Sequence, residues 1–342
     1  MRSTPSLLLA ALILLPIGGC RHTLSGTKGC QAPAPDPSKV EVRYLGSGGI
    51  YLRWRDDAIL LGPSFSNPWF FRAGLGRVKP NGQRIDNANV EYQYVRAIFA
   101  GHSHYDHIAD IPAVARKIPH SVPIYVNATG TRILAAEGLD VREIVAGKPP
   151  VEAGSIHVRA VASGHAPQIC KWRHFPCVYA GGKVADDWKT AVTKRHLIAM
   201  RSGQPLAFVI ELYDGEKVRY RIYYNDASPD SPLGQTTGDF DLAILTIAQW
   251  NWARDYPRDL LSVLRPRHVM ISHWDNFFAE ATQTSKAIPF LTTKSVRSFA
   301  DIVETYVTRK DVGPVNHVCG AAEEKWTMPA PASTMLFKPR EP

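Results

Sequence analysis

A cluster of histidines and aspartates behind an apolar run constrains this chain more than any other feature. The sequence GHSHYDHIAD spans residues 101–110 and follows the run 97–100 directly. In a continued strand, His102 and His104 share one face while Asp106 and His107 point in opposite directions, so one ion cannot collect all four side chains. A turn into a helix lets the first pair bind one ion and the second pair bind another, about 3.5 to 4 Å away. The cluster therefore predicts a strand, a turn and a helix that together present metal ligands.

Short β-rich runs outnumber helical patterns and fall into two sets along the chain. The first set covers residues 40–45, 50–54, 58–61, 97–100, 124–126 and 156–161, and the second covers 206–212, 220–224, 242–247 and 268–271. Helical patterns occur at 108–117, 131–138, 257–264 and 295–307. This arrangement predicts an α/β fold in which helices cover two sheets.

The charge balance narrows the classes of partner. The chain of 342 residues has 40 Lys and Arg against 31 Asp and Glu, a formal charge of +9, without a long basic run. An anionic substrate or a membrane surface fits this balance, whereas a nucleic-acid groove is allowed but not indicated. No nucleic-acid partner is expected.

The first 20 residues predict export. Arg2 precedes an apolar run at 7–17 that is too short for a permanent membrane span and is typical of a secretory signal. The end of this run, with small residues before Cys20, resembles a bacterial lipobox, which implies removal of residues 1–19 and acylation of Cys20. An ordinary cleaved signal with an incidental cysteine is the alternative. Arg21, rather than Asp, implies an outer-membrane lipoprotein facing the periplasm if the source is Gram-negative.

Four further cysteines, Cys30, Cys170, Cys177 and Cys319, form an even set that can pair in three ways. An oxidising compartment favours disulfides, with Cys170 to Cys177 as the simplest pair and Cys30 to Cys319 as the second. A zinc site of four cysteines is the rival interpretation, although no C-x-x-C is present.

The domain organisation follows from composition. Residues 20–39 form a Gly-, Pro- and Ser-rich tether, residues 40–310 the folded domain, and residues 311–342 a Pro-rich tail that we expect to be irregular.

Two long segments near 64–91 and 168–204 interrupt the strand pattern, and insertions of this length are usually functional or disordered. We expect the second to supply Lys171, Arg173 and His174 to substrate anions, and a solvated basic loop is an equal alternative.

The pattern His-x-His-x-Asp-His after a strand resembles the signature of the metallo-β-lactamase superfamily. Three later residues stand behind strand-like runs, in the order that this resemblance implies for further ligands: His165, Asp226 and His273. The resemblance covers about residues 40–307 and implies an αββα sandwich, with two mixed β-sheets flanked by helices.

The same resemblance implies how the ligands divide. One ion would be held by His102, His104 and His165, the other by Asp106, His107 and His273, and Asp226 would bridge them. The competing residues are explained without a metal: His157 lies within a strand pattern, His174 within the insertion, and Asp230 and Asp239 in turn-like surroundings. His268 begins the last strand and would point to its far end, about 16 Å away.

One position departs from the superfamily. Where an early strand is usually followed by an Asp that supports the metal site, this chain has Gly62 before Pro63. Loss of such a supporting carboxylate lowers metal affinity about tenfold to a hundredfold unless another group replaces it.

The resemblance implies a metal-dependent hydrolase with two divalent ions, Zn²⁺ first and Mn²⁺ or Fe²⁺ as alternatives, and with Asp106 and Asp226 as catalytic residues. A metal-bound hydroxide would attack an ester-type bond, such as a phosphodiester or lactone, in an anionic or amphiphilic substrate. Segments 62–68 and 272–277 resemble the branch of L-ascorbate phosphate lactonases and N-acyl phosphatidylethanolamine phospholipase D, and make Trp274 a substrate candidate. The alternative is a lipid-anchored binding or scaffold protein with a structural metal site.

Replacing Cys20 by Ser should release the protein from the membrane fraction, because two or more acyl chains anchor a protein stably where none would remain. Cell fractionation compares the variant with the wild type, and mass spectrometry identifies the mature N-terminus. A mature N-terminus at any residue other than a lipid-modified Cys20 would contradict the lipoprotein prediction.

Overall fold

A computed structural model describes most of the domain but not the N-terminus. The described residues are 32–68, 79–166, 202–229, 238–288, 291, 293–307, 313–316 and 318–341. The predicted signal, Cys20 and nearly all of the 168–204 insertion therefore lie outside them. Within the described ranges, no helix has both the length and the apolar character that crossing a bilayer requires.

Two mixed β-sheets form the centre of the fold. The seven-stranded sheet has the order β15-β1-β2-β3-β4-β5-β6 and is built from β1 (Val40–Gly46), β2 (Gly49–Trp54), β3 (Asp57–Leu61), β4 (Val95–Phe99), β5 (Ile124–Val126), β6 (Val141–Glu143) and β15 (Thr334–Phe337). The eight-stranded sheet has the order β13-β14-β12-β11-β10-β9-β8-β7 and is built from β7 (Val151–Ala153), β8 (Ile156–Ala162), β9 (Leu206–Asp214), β10 (Lys217–Asn225), β11 (Leu242–Thr246), β12 (His268–Ser272), β13 (Gly320–Ala322) and β14 (Trp326–Pro329).

Helices cover the outer faces of both sheets. They are α1 (Gly82–Asn87), α2 (Tyr105–Ile108), α3 (Ile111–Ala115), α4 (Ala128–Leu134), α5 (Arg258–Leu264) and α6 (Thr293–Tyr306), with 3₁₀ turns at Tyr92–Tyr94, Ala135–Glu137 and Trp250–Trp252. Helices α1 to α4 pack on the first sheet, and α5 and α6 pack on the second. In α6, the buried Val296, Phe299 and Val303 recur at helical spacing and form one apolar face. The predicted αββα sandwich is confirmed.

The main core lies between the two sheets. Phe99 of the first sheet and Phe208 of the second meet with ring centroids 5.7 Å apart, in an edge-to-face arrangement. The neighbouring strands β11 and β12 are parallel and buried at every residue, which explains why their central residues are all apolar. Burial of each large apolar side chain contributes about 1.5 to 3 kcal/mol, so this layer supplies most of the driving force for folding.

Strand direction brings the carboxyl ends of five strands to one place. Strand β8 is antiparallel to β9, and β9 is antiparallel to β10, so β8 runs in the same direction as β10. Strands β10, β11 and β12 are parallel, and their carboxyl ends therefore share one edge of the second sheet with that of β8. The carboxyl end of β4 meets this edge from the first sheet, where the amide of Leu206 donates to the carbonyl oxygen of Gly101 at 2.8 Å.

All ten predicted strands form, with ends shifted by at most three residues. Sequence order places the run 156–161 in the first set, but it belongs to the second sheet as β8. The predicted helix at 108–117 is divided into α2 and α3, and the helical conformation begins earlier, at Tyr105. The described part of the 64–91 segment packs into the fold, because Phe65, Ile85 and Val90 are buried there.

The prediction of an irregular tail at 311–342 is wrong. This segment supplies three strands, and β15 pairs with β1 in register Val40 to Phe337, while β14 pairs with β12. All four residues of β15 are buried, so the folded domain extends at least to Phe337. These strands are difficult to recognise in the sequence because each has only three or four residues and the segment is rich in proline.

Cys319 is buried beside β13 and is disulfide-bonded. Its partner is not among the described residues, since Cys20, Cys30, Cys170 and Cys177 all lie outside them. The Cys30 to Cys319 pairing and the Cys170 to Cys177 pairing therefore stay predictions.

Candidate metal centre

The loop that leaves β4 lies in the seam between the sheets and needs a glycine there. The amide of Gly101 donates to Asp226 Oδ2 at 2.9 Å. A Cβ atom on Gly101 would lie 2.6 Å from Asp226 Oδ1 and 2.5 Å from the carbonyl oxygen of Leu206, both closer than real Cβ contacts. Gly101 thus permits the close approach that brings the histidine cluster against the second sheet.

The first group of ligand atoms comes from the β4 exit and the β8 exit. His102 Nε2 and His104 Nδ1 are 2.9 Å apart. The ring centroid of His165 lies 5.1 Å from that of His102 and 5.0 Å from that of His104. One nitrogen of each imidazole falls within 4.8 Å of the other two, which is the spacing that a shared cation needs.

The second group comes from α2 and the β12 exit. Helix α2 begins directly after His104, three residues before the predicted helical pattern, and its first turn carries Asp106 and His107. Asp106 Oδ2 lies 3.7 Å from His107 Nε2 and 3.3 Å from His273 Nε2. These three side chains are all buried and form a second set within 4.8 Å.

Asp226 stands between the two groups. Its Oδ1 lies 2.9 Å from His102 Nδ1, and its Oδ2 lies 3.6 Å from His107 Nδ1. His102, His107 and Asp226 form a third set within 4.8 Å, with one member from each of the other two. The structure thus brings together the seven residues expected as ligands, in the two groups that the resemblance implies, with Asp226 between the groups.

Burial and neighbouring side chains shift the pKa values of several residues in the centre. Burial lowers the pKa values of His102 and His165, and it lowers the pKa of His107 to about 3, so these imidazoles are neutral at pH 7. Burial raises the pKa of Asp106, but His107 and His273 beside it hold that pKa below its usual range. A neutral imidazole and an ionised carboxylate are the forms that coordinate a metal ion.

Unpartnered polar atoms support the fit to a cation. Both ring nitrogens of His107 and Nδ1 of His273 are buried without a hydrogen-bond partner among the described residues. Each such atom costs about 1 to 3 kcal/mol when left unsatisfied. A divalent cation bound by imidazole nitrogens and carboxylate oxygens, the ligand set that zinc prefers, would satisfy those that face the centre.

The competing residues lie elsewhere. His157 belongs to β8 and stacks on Tyr213 with ring centroids 4.2 Å apart. His268 begins β12, is buried, and has its Nε2 3.4 Å from Thr327 Oγ1. Asp239 is 72% exposed and pairs with Arg265. His174 and Asp230 lie outside the described residues.

Trp274 is not placed to touch a substrate. Its side chain is 1% exposed, and its indole N–H donates to the carbonyl oxygen of Pro329 at 2.8 Å. The substrate prediction for Trp274 is therefore corrected: the residue packs in the core, because the strand end turns its neighbour His273 toward the metal ligands instead. Lys171, Arg173 and His174 lie outside the described residues, so their substrate role stays a prediction.

The unusual Gly62 lies directly against the centre. Its φ is +49°, and a Cβ atom there would lie 3.0 Å from His107 Nδ1. The carboxylate of Asp226 faces the same nitrogen from the second sheet. Although position 62 has no aspartate, His107 Nδ1 therefore still has a carboxylate nearby, that of Asp226.

Two supporting groups escape sequence inspection. Gly48, in the turn between β1 and β2, has a φ of +79°, and a Cβ there would lie 3.2 Å from His273 Cδ2 and 3.4 Å from His107 Cε1. Asn127 accepts from Ser103 Oγ at 2.7 Å and donates to the carbonyl oxygen of Ser202 at 2.8 Å, which ties the His102 loop to the end of the insertion. The available signal is position: Asn127 directly follows the predicted strand 124–126, and Gly48 lies in the short turn between the predicted strands 40–45 and 50–54.

Fold and site together define a metallohydrolase of the αββα class, with ligands gathered at the carboxyl ends of strands from two sheets. The sequence matches the family described as a beta-lactamase superfamily domain over residues 58–289, more than half of the chain. The chain belongs to this superfamily.

Three solved structures illustrate its similarity to known proteins. Igni18, a metallo hydrolase from the archaeon Ignicoccus hospitalis KIN4/I, is 13% identical, with 87% of this chain and 98% of that chain covered and a TM-score of 0.49. An isothiocyanate hydrolase from Delia radicum gut bacteria is 15% identical, with 86% and 98% covered and a TM-score of 0.47. The metallo-beta-lactamase fold protein YhfI from Bacillus subtilis is 13% identical, with 86% and 98% covered and a TM-score of 0.47. At this level of similarity they carry no argument about the activity of this chain.

No curated protein matches the sequence significantly.

Replacing Asp226 by Ala should lower the metal content from about two ions per chain, because the shared carboxylate contacts ligands of both groups. Elemental analysis of protein purified without chelators measures the effect. Asp239→Ala removes an exposed carboxylate and is the matched control, with unchanged metal content expected. Wild-type protein that carries only trace metal would refute the prediction.

Proposed function

We propose that the chain is a two-metal hydrolase, with zinc as the preferred ion, that cleaves an ester-type bond in an anionic or amphiphilic substrate at the cell envelope. The single observation that carries the two-ion proposal is the position of Asp226. A structural site for one ion needs only one closed ligand group. Here two buried groups lie side by side, and one carboxylate contacts both.

The chemistry divides between the ions and the protein. Two bound divalent ions would lower the pKa of a coordinated water to about 7 and polarise the bond to be broken. Asp106 and Asp226 line the same space from α2 and from the β10 exit, so their carboxylate oxygens are placed to orient the attacking water and accept its proton. The water oxygen forms a bond to the carbonyl carbon or phosphorus, the bond to the leaving oxygen breaks, and that oxygen takes up a proton.

An aromatic surface beside the centre favours an amphiphilic substrate. Phe277 and Phe278 are only partly buried, and the ring of Phe277 lies 5.4 Å from that of the ligand His273. The two phenyl rings lie 4.5 Å apart, and the hydroxyl of Tyr105 donates to the carbonyl oxygen of Phe277 at 3.0 Å, which fixes the loop. An apolar group next to the scissile bond would cover these rings and gain about 25 cal/mol for each Å² removed from water.

Charge and the N-terminal sequence support the remaining parts of the proposal. A formal charge of +9 suits an anionic substrate, and Lys171, Arg173 and His174 are the proposed contacts from the insertion. The lipobox-like end of the signal supports anchoring through Cys20 and a role at the outer membrane. Segments 62–68 and 272–277 support a place near the lactonase and phospholipase D branch, and a small-molecule or lipid-like substrate.

Purified protein should hydrolyse at least one member of a panel of phosphodiesters, lactones, carboxylic esters, thioesters and β-lactams. Activity should disappear with a chelator and return when Zn²⁺ is added, and Asp106→Asn should remove most of it, because Asp106 contacts two ligand histidines. The exposed Asp239→Asn serves as the control variant. Metal-loaded protein that is inactive on every substrate class would favour the alternative, a lipid-anchored binding protein with a structural metal site.

Replacing Phe277 by Ala should raise KM for a long-chain ester about tenfold, because part of a ring contact worth about 1.5 to 3 kcal/mol on full burial is lost. The KM of the corresponding acetyl ester should change little, since a single methyl group has little apolar surface to place against the ring. Val315→Ala, which alters an exposed side chain, should change neither constant. Equal effects of Phe277→Ala on the long and the short ester would contradict an apolar subsite.

A further inference from the structure

The ligand His273 has a backbone conformation that L-residues rarely adopt. Its φ is +54°, in the left-handed region, which costs a non-glycine residue about 1 to 3 kcal/mol. Such a conformation persists only where the surroundings hold it. Directly after β12, this turn aims the imidazole at Asp106 and His107.

One contact that holds the turn is made by Tyr44, which lies 229 positions earlier in the sequence. The backbone N–H of His273 donates to the hydroxyl oxygen of Tyr44 at 3.0 Å. The same hydroxyl donates to Asp275 Oδ1, two residues after the ligand. Tyr44 is 0% exposed and Asp275 is 0% exposed, so no solvent competes for these bonds.

The turn between β1 and β2 holds the carboxylate from the other side. The backbone N–H of Ser47 lies 3.0 Å from Asp275 Oδ1 and 3.1 Å from Asp275 Oδ2. Gly46 has a φ of +101°, and a Cβ there would lie 3.1 Å from Asp275 Oδ2 and 2.6 Å from Ala281 Cβ. The turn therefore fits over the carboxylate only because position 46 has no side chain.

The tyrosine is itself fixed by the C-terminal segment. Its amide donates to the carbonyl oxygen of Ser333 at 2.9 Å, and its carbonyl oxygen accepts from the amide of Ala332 at 2.7 Å. Tyr44, Asp275 and the 332–333 turn thus form a rigid support behind His273. None of these groups is a ligand, and none belongs to the seven-residue centre.

We propose that Tyr44 and Asp275 are positioning residues that hold His273 in its left-handed turn and thereby set the affinity of the ion bound by Asp106, His107 and His273. This inference rests on the proposed two-ion centre. The physical reason is that a ligand held in place before binding loses less conformational entropy when it coordinates the ion. Without the Tyr44 hydroxyl, the amide of His273 is buried without this partner, and the turn is free to relax toward an ordinary backbone conformation.

The test measures metal binding without any substrate. Apoprotein is titrated with Zn²⁺ in competition with a chromophoric chelator, for the wild type, Tyr44→Phe and Asp275→Asn. His273→Ala and His165→Ala identify which of the two binding steps belongs to each ligand group. The matched control is Tyr51→Phe on the adjacent strand, since the Tyr51 hydroxyl is also buried but has no hydrogen-bond partner among the described residues.

His273→Ala should abolish one of the two zinc-binding steps. Tyr44→Phe should weaken zinc binding in that same step about tenfold to a hundredfold, the usual effect of losing a group that orients a metal ligand. The step that His165→Ala removes should stay within about twofold of the wild type. Asp275→Asn should weaken the same step as Tyr44→Phe, and the double variant should lose less than the product of the two single losses, because both act through one hydrogen-bonded unit. Tyr51→Phe should change neither step.

A purely structural role gives a different result. Tyr44→Phe would then lower the melting temperature while leaving both zinc affinities unchanged, or would weaken both steps equally, and either outcome would overturn the proposal. If Tyr44→Phe does not fold, Asp275→Asn keeps the size of the side chain and an accepting oxygen, and carries the same test. A protein that binds two ions, loses one selectively in these variants, yet hydrolyses nothing would support this inference and refute the proposed function.

Discussion

The contact between Gly101 and Asp226 is the interaction on which the centre depends. It joins the exit of β4 in one sheet to the exit of β10 in the other through a single backbone N–H and a carboxylate. The approach requires a residue without a side chain at position 101 and a short acidic side chain at position 226. Because the two ligand groups meet around this carboxylate, a change in the distance between the sheets would separate the histidines of the first sheet from Asp226.

The strand pattern and the ligand positions were predictable because both rest on local signals. Apolar runs such as 242–247 and 268–271 are long enough to identify, and four of them are followed by the residues that form the centre. The grouping of those residues was taken from resemblance, and the parallel direction of β8, β10 and β12 explains why it holds. Strands of three or four residues, such as β6 and β13, carry no such signal, since so few residues show no clear period.

The long-range contacts that hold His273 in place could not be inferred from local sequence signals. Tyr44 and Asp275 are separated by 231 positions, and nothing in either local sequence indicates the other. Trp274 shows the opposite failure, because the resemblance makes this residue a substrate candidate although the turn directs its side chain into the core. Neighbours in sequence at a strand end point to different sides, so adjacency alone does not identify which side chain faces the site.

The centre also concentrates groups that are costly to bury. The seven ligands, Tyr44 and Asp275 place three carboxylates, a phenol and several imidazoles in one region with little access to water. Hydrogen bonds offset part of the desolvation cost, and coordination of cations offsets more, so metal binding and folding are coupled in such a site. Metal ions bound at this centre would therefore stabilise the folded domain as a whole.

The pairing of β1 with β15 has a consequence for how the protein is made. Val40 and Phe337 face each other in register, so the first sheet is completed by a strand that is synthesised about 300 residues after its partner. The Tyr44 backbone is held by residues 332 and 333, so that part of the support for His273 is also missing until these residues have been synthesised. Contacts between residues so far apart in sequence form slowly, because the chain must lose the entropy of closing a long loop before the contacts can form. The first sheet, and with it this part of the support for His273, therefore cannot be completed before the segment 332–337 has been synthesised.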